Sequence, residues 1–340
     1  MESVFNFPQP SFLEDQIESI VYKNYGFKCR AKNIYSDRDQ NFYIEAPDHK
    51  QFILKISNPL EEKLVIRMQN ESVKFIREKD STIILPFPCR SLSGDEILEY
   101  KHREKLYYMR LLHFLPGDFL KDRSKNKNNL FMLGAFLARL SNALEGFEHE
   151  AGRRKFAWNL SQEGFLYEFG EGLKTNKQKS IVELFLMKKT EYSNEHQQSL
   201  RQGIIHNDGN EHNIVVNENG EAVGIIDFGD MVHSYRASEP AIAMAYVCIN
   251  NNEPLMDMAC VLKGFHKYYQ LSDDELRFII YLVCLRLSIS VTMAGYRSKL
   301  FPDNKYLTIS EKGAWEFLKK MSTENMMDWA DKFLEYAKSE

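Results

Sequence analysis

Hydrophobic positions in this chain keep two rhythms, and the change between them divides the sequence. Up to residue 115 the apolar runs are short and β-like: 27–35 (FKCRAKNIY), 40–46 (QNFYIEA), 51–57 (QFILKIS), 82–88 (TIILPFP), 96–102 (EILEYKH) and 105–115 (KLYYMRLLHFL). The second and third flank Pro47-Asp48-His49-Lys50, a turn-like spacer, and are expected to pair as a hairpin. A helix is expected to open at the capping-box pattern Ser11–Glu14 and to run through Tyr25, where Gly26 stops it. A charged helix is expected over 61–79.

After Pro116-Gly117 the period lengthens. Leu133, Phe136, Leu137, Leu140 and Leu144 form one helical stripe that ends at Gly146, and helical patterns fill 238–338. Lys121–Asn129 is polar enough for an exposed loop. The β signal returns only within 203–228, in GIIHND, NIVV and AVGIIDFGD. The expected class is therefore α+β, with a β-rich first part over 1–114 and a mostly helical remainder over 115–340.

Composition narrows this picture mainly by exclusion. A 340-residue chain with 44% hydrophobic residues can bury a large core. Its net charge of −4, with both signs interspersed, leaves no footprint for nucleic acid. The longest apolar run, 278–295, carries Arg286 and reads as a buried helix rather than a membrane span. The opening MESVFNFPQPSF has no secretory pattern. The cysteines (Cys29, Cys89, Cys248, Cys260, Cys284) are scattered without close pairs, which suits a reducing, cytoplasmic setting.

The chemistry concentrates in GIIHNDGNEHNIVV, 203–216, a dense polar cluster set between apolar strands. Asp208 and Asn213 stand five apart, Asp227 follows fourteen later in IIDFGD, and Lys55 sits at the inward rhythm of FILKIS. Each has a plain structural reading: a turn former, a strand end, a solvated edge lysine. Together and in this order they are the parts for phosphoryl transfer. One aspartate orients a hydroxyl and accepts its proton, an asparagine and a second aspartate hold magnesium on the phosphates, and a strand lysine neutralises charge. His212 and His233 lack the companions of a zinc site.

The arrangement resembles the aminoglycoside phosphotransferase family, which includes choline-kinase-like enzymes and is related to protein kinases, over nearly the whole chain. The family motif is usually His-Gly-Asp, four residues, then Asn; here it reads His206-Asn207-Asp208 through Asn213, with Asn in place of Gly. Within the family, DRDQNFYI, MQNESVKFIRE, LPGDFL, GFEHEAGRRKFAW and IIDFGDMVHSYRASEPAIAMAYV are most similar to the hydroxylysine kinase branch.

The resemblance implies a bilobal, protein-kinase-like fold with the active site in the cleft. Asp208 would be the catalytic base, Asn213 and Asp227 the magnesium ligands, and His206 a brace for the loop. Glu71 stands where the family places the partner of the phosphate lysine, Lys55. The donor would be ATP or GTP, and the acceptor 5-hydroxylysine or a similar hydroxy-amine. Homoserine, choline, ethanolamine and aminoglycosides remain alternatives, as does an inactive kinase-like binding module.

The phosphate-covering turn, 35–42, has no glycine; its backbone with Ser36 or Arg38 could cradle phosphate, or it could be a plain hairpin turn. A purine base would lie against Leu112, Phe114 and Leu115, which equally suit a packed strand end. For the acceptor, a cationic amine needs carboxylates and an amino-acid carboxylate needs an arginine. Asp230, Glu239, Arg236, Arg286 and Arg297 are candidates, with Trp158 and Tyr235 as pocket walls. Arg286 is a charge in apolar sequence that needs either a ligand or a buried carboxylate such as Glu239.

Overall fold

In a computed structural model, residues 3–123, 126–302 and 311–339 are described. The chain divides into two compact units, one of residues 1–77 with 84–116, the other of 78–83 with 117–340.

The first unit is built on a five-stranded antiparallel sheet. Its strands are β1 (Arg30–Ile34), β2 (Gln40–Glu45), β3 (Gln51–Ile56), β4 (Leu98–His102) and β5 (Lys105–His113), in the order β1-β2-β3-β5-β4. Alternation in β2 and β3 buries Phe42, Ile44, Leu54 and Ile56 completely, and Ile17, Ile20 and Val21 of helix α1 (Glu14–Tyr25) join that core. Helix α2 (Lys63–Lys79) follows β3. The α1 C-terminus falls where expected, with Gly26 left-handed at φ 81°.

Two expectations fail here. The α1 N-cap is Leu13, not Ser11: the Gln16 side chain accepts from the Leu13 N–H, while Glu14 Oε1 accepts from the Asn33 N–H. Residues 82–88 form no strand; Pro86 and Pro88 lack the N–H a ladder needs, and the segment carries isolated bridges at Ile84 and at Pro88, the latter to Leu112.

The second unit is helical around two small sheets. Strands β6 (Asp118–Phe119), β8 (Ile214–Val216) and β9 (Ala222–Ile225) form one, and β7 (Gln202–Ile205) with β10 (Val232–Tyr235) the other, both antiparallel. The helices are α3 (Lys127–Ala143), α4 (Phe165–Phe169), α5 (Asn176–Glu195), α6 (Ser238–Val247), α7 (Pro254–Tyr268), α8 (Asp273–Leu300), α9 (Glu311–Met321) and α10 (Met326–Lys338). Residues 127–129, expected in a loop, are instead the first turn of α3, capped by Asn126; Ser124 and Lys125 lie outside the described residues. α3 and α7 approach through Gly134 and Gly264, where a Cβ would run into Val261 O and Phe131 O. α8 is long and apolar enough to cross a membrane, yet 89% of its most apolar window is buried inside the protein. A capping box of Ser272 and Glu275 starts it, and Glu275 also takes the Arg201 guanidinium at 2.6 Å.

These small sheets position the polar cluster. β7 and β10 pair Ile205 with Val232, so residue 206 leaves one strand beside the residue entering the other. β8 and β9 pair Ile214 with Ile225, and the Ile226 N–H donates to Asn213 O at 3.0 Å. Loops 206–213 and 226–231 are thus pinned side by side at both ends. Apolar strands flank the cluster because they hold its two loops in register.

Candidate active site

Asp208 lies at the centre of the second unit's site. Its Oδ2 accepts from Asn213 Nδ2 at 2.7 Å, and its Oδ1 from Asn210 Nδ2 at 3.0 Å and Arg286 Nη2 at 3.1 Å. The Tyr246 hydroxyl donates to the same Oδ1 at 3.4 Å. The carboxylate side chain is still 21% exposed, against 2% for Arg286. Burial, then the charges of Asp230 and Asp227, push the Asp208 carboxyl up to about 7, against the pull of Arg286 and the Asn213 amide.

His206 is fully buried and ties the two loops together. Its Nε2 lies 3.1 Å from Ile226 O and its Nδ1 3.3 Å from the Asp208 N–H, so the tautomer that satisfies both carries its proton on Nε2. The ring meets Phe228 edge-on, with centroids 4.8 Å apart. Glu239, in the first turn of α6 and 1% exposed, accepts with Oε2 from the backbone N–H groups of His206 at 2.8 Å and Asn207 at 3.2 Å.

Asn207 explains the departure from glycine. Its φ is +67°, a left-handed conformation that glycine adopts freely and that asparagine tolerates best among ordinary residues. Its side-chain amide donates to Trp158 O at 3.4 Å.

Asp227 is exposed, also left-handed (φ 62°), and begins the short turn Phe228–Asp230. Arg154 fixes that turn by donating to Gly229 O at 2.6 Å and Met231 O at 3.3 Å while stacking on Phe156. Asn213 commits its amide nitrogen to Asp208, which leaves its carbonyl oxygen for another partner. An exposed carboxylate, an amide oxygen and the mutual repulsion of Asp208, Asp227 and Asp230 fit a hard divalent cation such as magnesium.

In the first unit, Lys55 lies on β3, 9% exposed, with Nζ 3.3 Å from Asp39 Oδ2; Asp39 Oδ1 takes the Asn58 N–H at 3.0 Å. Glu71 is exposed on α2, next to buried Gln69 and Asn70, which hold Arg110 at 2.6 and 2.7 Å. Arg110 stands opposite Lys55 in the β3–β5 register. Ser36 O accepts from Gln9 Nε2 at 2.5 Å, and Arg38 lies over the Phe5 ring. Leu112 and Leu115 are buried; the Phe114 N–H goes to Gln51 O and its ring meets Tyr43 edge-on.

Among the acceptor-side candidates, Arg286 and Trp158 come together at Asp208, with the guanidinium 4.4 Å from the Trp158 ring centroid. Asp230 is near enough to act on Asp208 by charge. Arg286 takes Asp208 as its ion-pair partner, and Glu239 serves the loop backbone. Tyr235 packs on Phe278 and under Lys189, and Arg236 donates to Ile204 O at 3.3 Å and faces Glu145 at 3.5 Å. Arg297 lies near the Phe301 ring, His212 is exposed, and His233 stands 3.5 Å from Arg153. Asp39, Arg110, Arg154, Asn210 and Tyr246 were missed from sequence. Asn210 lay in the polar cluster and Arg110 at an inward strand position, which were usable signals; Tyr246 in its apolar helix carried none.

A family model described as "Phosphotransferase enzyme family" matches residues 30–269. The chain is 31% identical to hydroxylysine kinase of Mus musculus over 92% of its own length and 90% of that protein's. With hydroxylysine kinase of Bos taurus it is 30% identical, with the same coverage. Among solved structures, a microcompartment-associated aminopropanol kinase superposes with a TM-score of 0.71 at 15% identity, covering 94% of this chain and 95% of that one. An amicoumacin kinase in complex with AMP-PNP, Ca2+ and Ami gives 0.69 at 15% identity, covering 95% and 94%. These two share the fold, a small β-rich part with a larger helical one. The chain belongs to the phosphotransferase enzyme family and is a small-molecule kinase that phosphorylates a hydroxyl group.

Proposed function

We propose that this kinase transfers the terminal phosphoryl group of magnesium-bound ATP or GTP to the hydroxyl of a small amino acid or amine, 5-hydroxylysine or a close analogue. The observation that carries the reading is Asp208: a partly exposed carboxylate, oriented on both oxygens and set beside Asn213 and Asp227.

Magnesium, held by Asn213 Oδ1 and Asp227, would neutralise charge on the phosphate oxygens. Lys55 would add a positive charge to them. Asp208 accepts the acceptor's hydroxyl proton as the hydroxyl oxygen bonds to phosphorus; the bridging P–O bond breaks and the nucleoside diphosphate leaves. General-base assistance of this kind supplies roughly 10²–10⁴-fold. Asn213 keeps Asp208 aimed, and His206 with Glu239 keeps the loop in place. Similarity to the curated hydroxylysine kinases supports this acceptor class. The free cysteines support a cytoplasmic place of action.

The test is nucleoside-diphosphate release with magnesium and ATP or GTP, against 5-hydroxylysine, homoserine, choline, ethanolamine and one aminoglycoside. Turnover greatest with 5-hydroxylysine supports the reading. Preference for another acceptor by more than tenfold overturns the acceptor, and release with none of them overturns the whole assignment.

A further inference from the structure

Arg286 is more than the counter-ion of Asp208. Its side chain is 2% exposed in the middle of α8. Among the described residues only Nη2 is engaged, with Asp208 Oδ1 at 3.1 Å and the Tyr246 hydroxyl at 3.5 Å. Nε and Nη1 are buried and have no hydrogen-bond partner among the described residues. The Trp158 ring covers the guanidinium at 4.4 Å and Tyr246 at 6.0 Å, which fixes its plane.

Neutralising Asp208 alone does not require this arrangement. A single ammonium group would do it, whereas arginine offers five N–H groups in a rigid planar fork. Buried donors of a permanent cation are costly to leave unpaired. Nη2 carries two hydrogens, one parallel to the Nε–H and one parallel to an Nη1–H. Asp208 takes one of them, and the other has only the long 3.5 Å contact to the Tyr246 hydroxyl; a ligand that displaces that contact meets two parallel donors, the pattern a carboxylate matches with both oxygens.

We propose that this second edge of Arg286 binds the carboxylate of the acceptor, so that amino acids are selected over simple amino alcohols beside the catalytic base itself. The proposal rests on the hydroxy-amino-acid reading above. One guanidinium then touches two carboxylates, the base and the acceptor's own. It sets the distance between the acceptor's anchored end and Asp208, and Trp158 keeps the fork from swinging away. Among candidate arginines, Arg236 cannot serve in this way, since it is turned to Ile204 O and Glu145.

The experiment compares 5-hydroxylysine with 1,5-diaminopentan-2-ol, which keeps the hydroxyl and both amines but lacks the carboxylate. kcat/KM is measured for each with wild-type enzyme, Arg286→Lys and Arg286→Gln, after cooperative melting and nucleotide binding have been checked. Wild type is expected to prefer 5-hydroxylysine by about 100-fold or more, the range of a buried hydrogen-bonded charge pair. In both variants that ratio should collapse to within about tenfold, mostly through KM for the amino acid. A merely structural role, or a role on the transferred phosphoryl, would slow both acceptors alike and preserve the ratio; that result overturns the proposal. Equal efficiency with wild type overturns it without any variant. Turnover of neither acceptor sinks the hydroxy-amino-acid reading, and this inference with it.

Discussion

Glu239 separates two roles for one buried carboxylate: a substrate ligand or a brace for the catalytic loop. Its Oε2 takes the backbone N–H groups of His206 and Asn207, and its Oε1 has no hydrogen-bond partner among the described residues. Glu239→Ala strands both donors, at about 1–3 kcal/mol each, so the expected loss is about 2–6 kcal/mol. The loop should loosen with it, lowering kcat while leaving the acceptor KM nearly unchanged.

Burial pushes the Glu239 carboxyl up to about 7, against the pull of the two N–H groups, Arg286 and Arg236. The folded protein therefore binds a proton that the unfolded chain has released between about pH 4.5 and 7, so stability falls as pH rises through that window, by up to about 3 kcal/mol from this group. Glu239→Gln mimics the protonated form, keeps an acceptor for the loop, and should reduce the slope to the part that Asp208 contributes in the same window. Denaturant melts of the three proteins at pH 5, 6 and 7, with steady-state kinetics beside them, read both effects. A Glu239→Ala enzyme of wild-type stability and kcat, with only the acceptor KM raised, would refute the brace and make Glu239 a substrate ligand.

At Asn207, the left-handed backbone predicts that Asn207→Gly is close to neutral in stability while Asn207→Ala costs about 1–2 kcal/mol; thermal melts decide it. Arg154→Ala frees the turn after Asp227 and should raise the magnesium concentration for half-maximal rate several-fold, whereas the same variant with an unchanged magnesium titration would show that the turn holds itself.

What could be read from the chain follows the range of the forces involved. Lys55 on an inward strand position, and Asp208, Asn213 and Asp227 between apolar runs, were legible because period-2 burial and local spacing place them. β10, four residues long, gave no such pattern; it exists because Val232–Tyr235 pairs with β7. Residues 82–88 misled because their apolar content outweighed two prolines, and Ser11 because a capping box needs a helix end as well as a motif. The partners of Arg286 and Arg154 come from elements 78 and 75 residues away, where spacing says nothing. A lone arginine in an apolar helix announced only that some partner had to exist.

The most direct test of the central claim is mass-spectrometric detection of the phosphorylated acceptor, made with wild type and with Asp208→Asn under one set of conditions. The account predicts one phosphate ester on the hydroxyl for each nucleoside diphosphate released, with the rate reduced by roughly 10²–10⁴-fold in the variant. An Asp208→Asn enzyme that forms the ester at the wild-type rate, or wild type that releases inorganic phosphate and no ester, would contradict it.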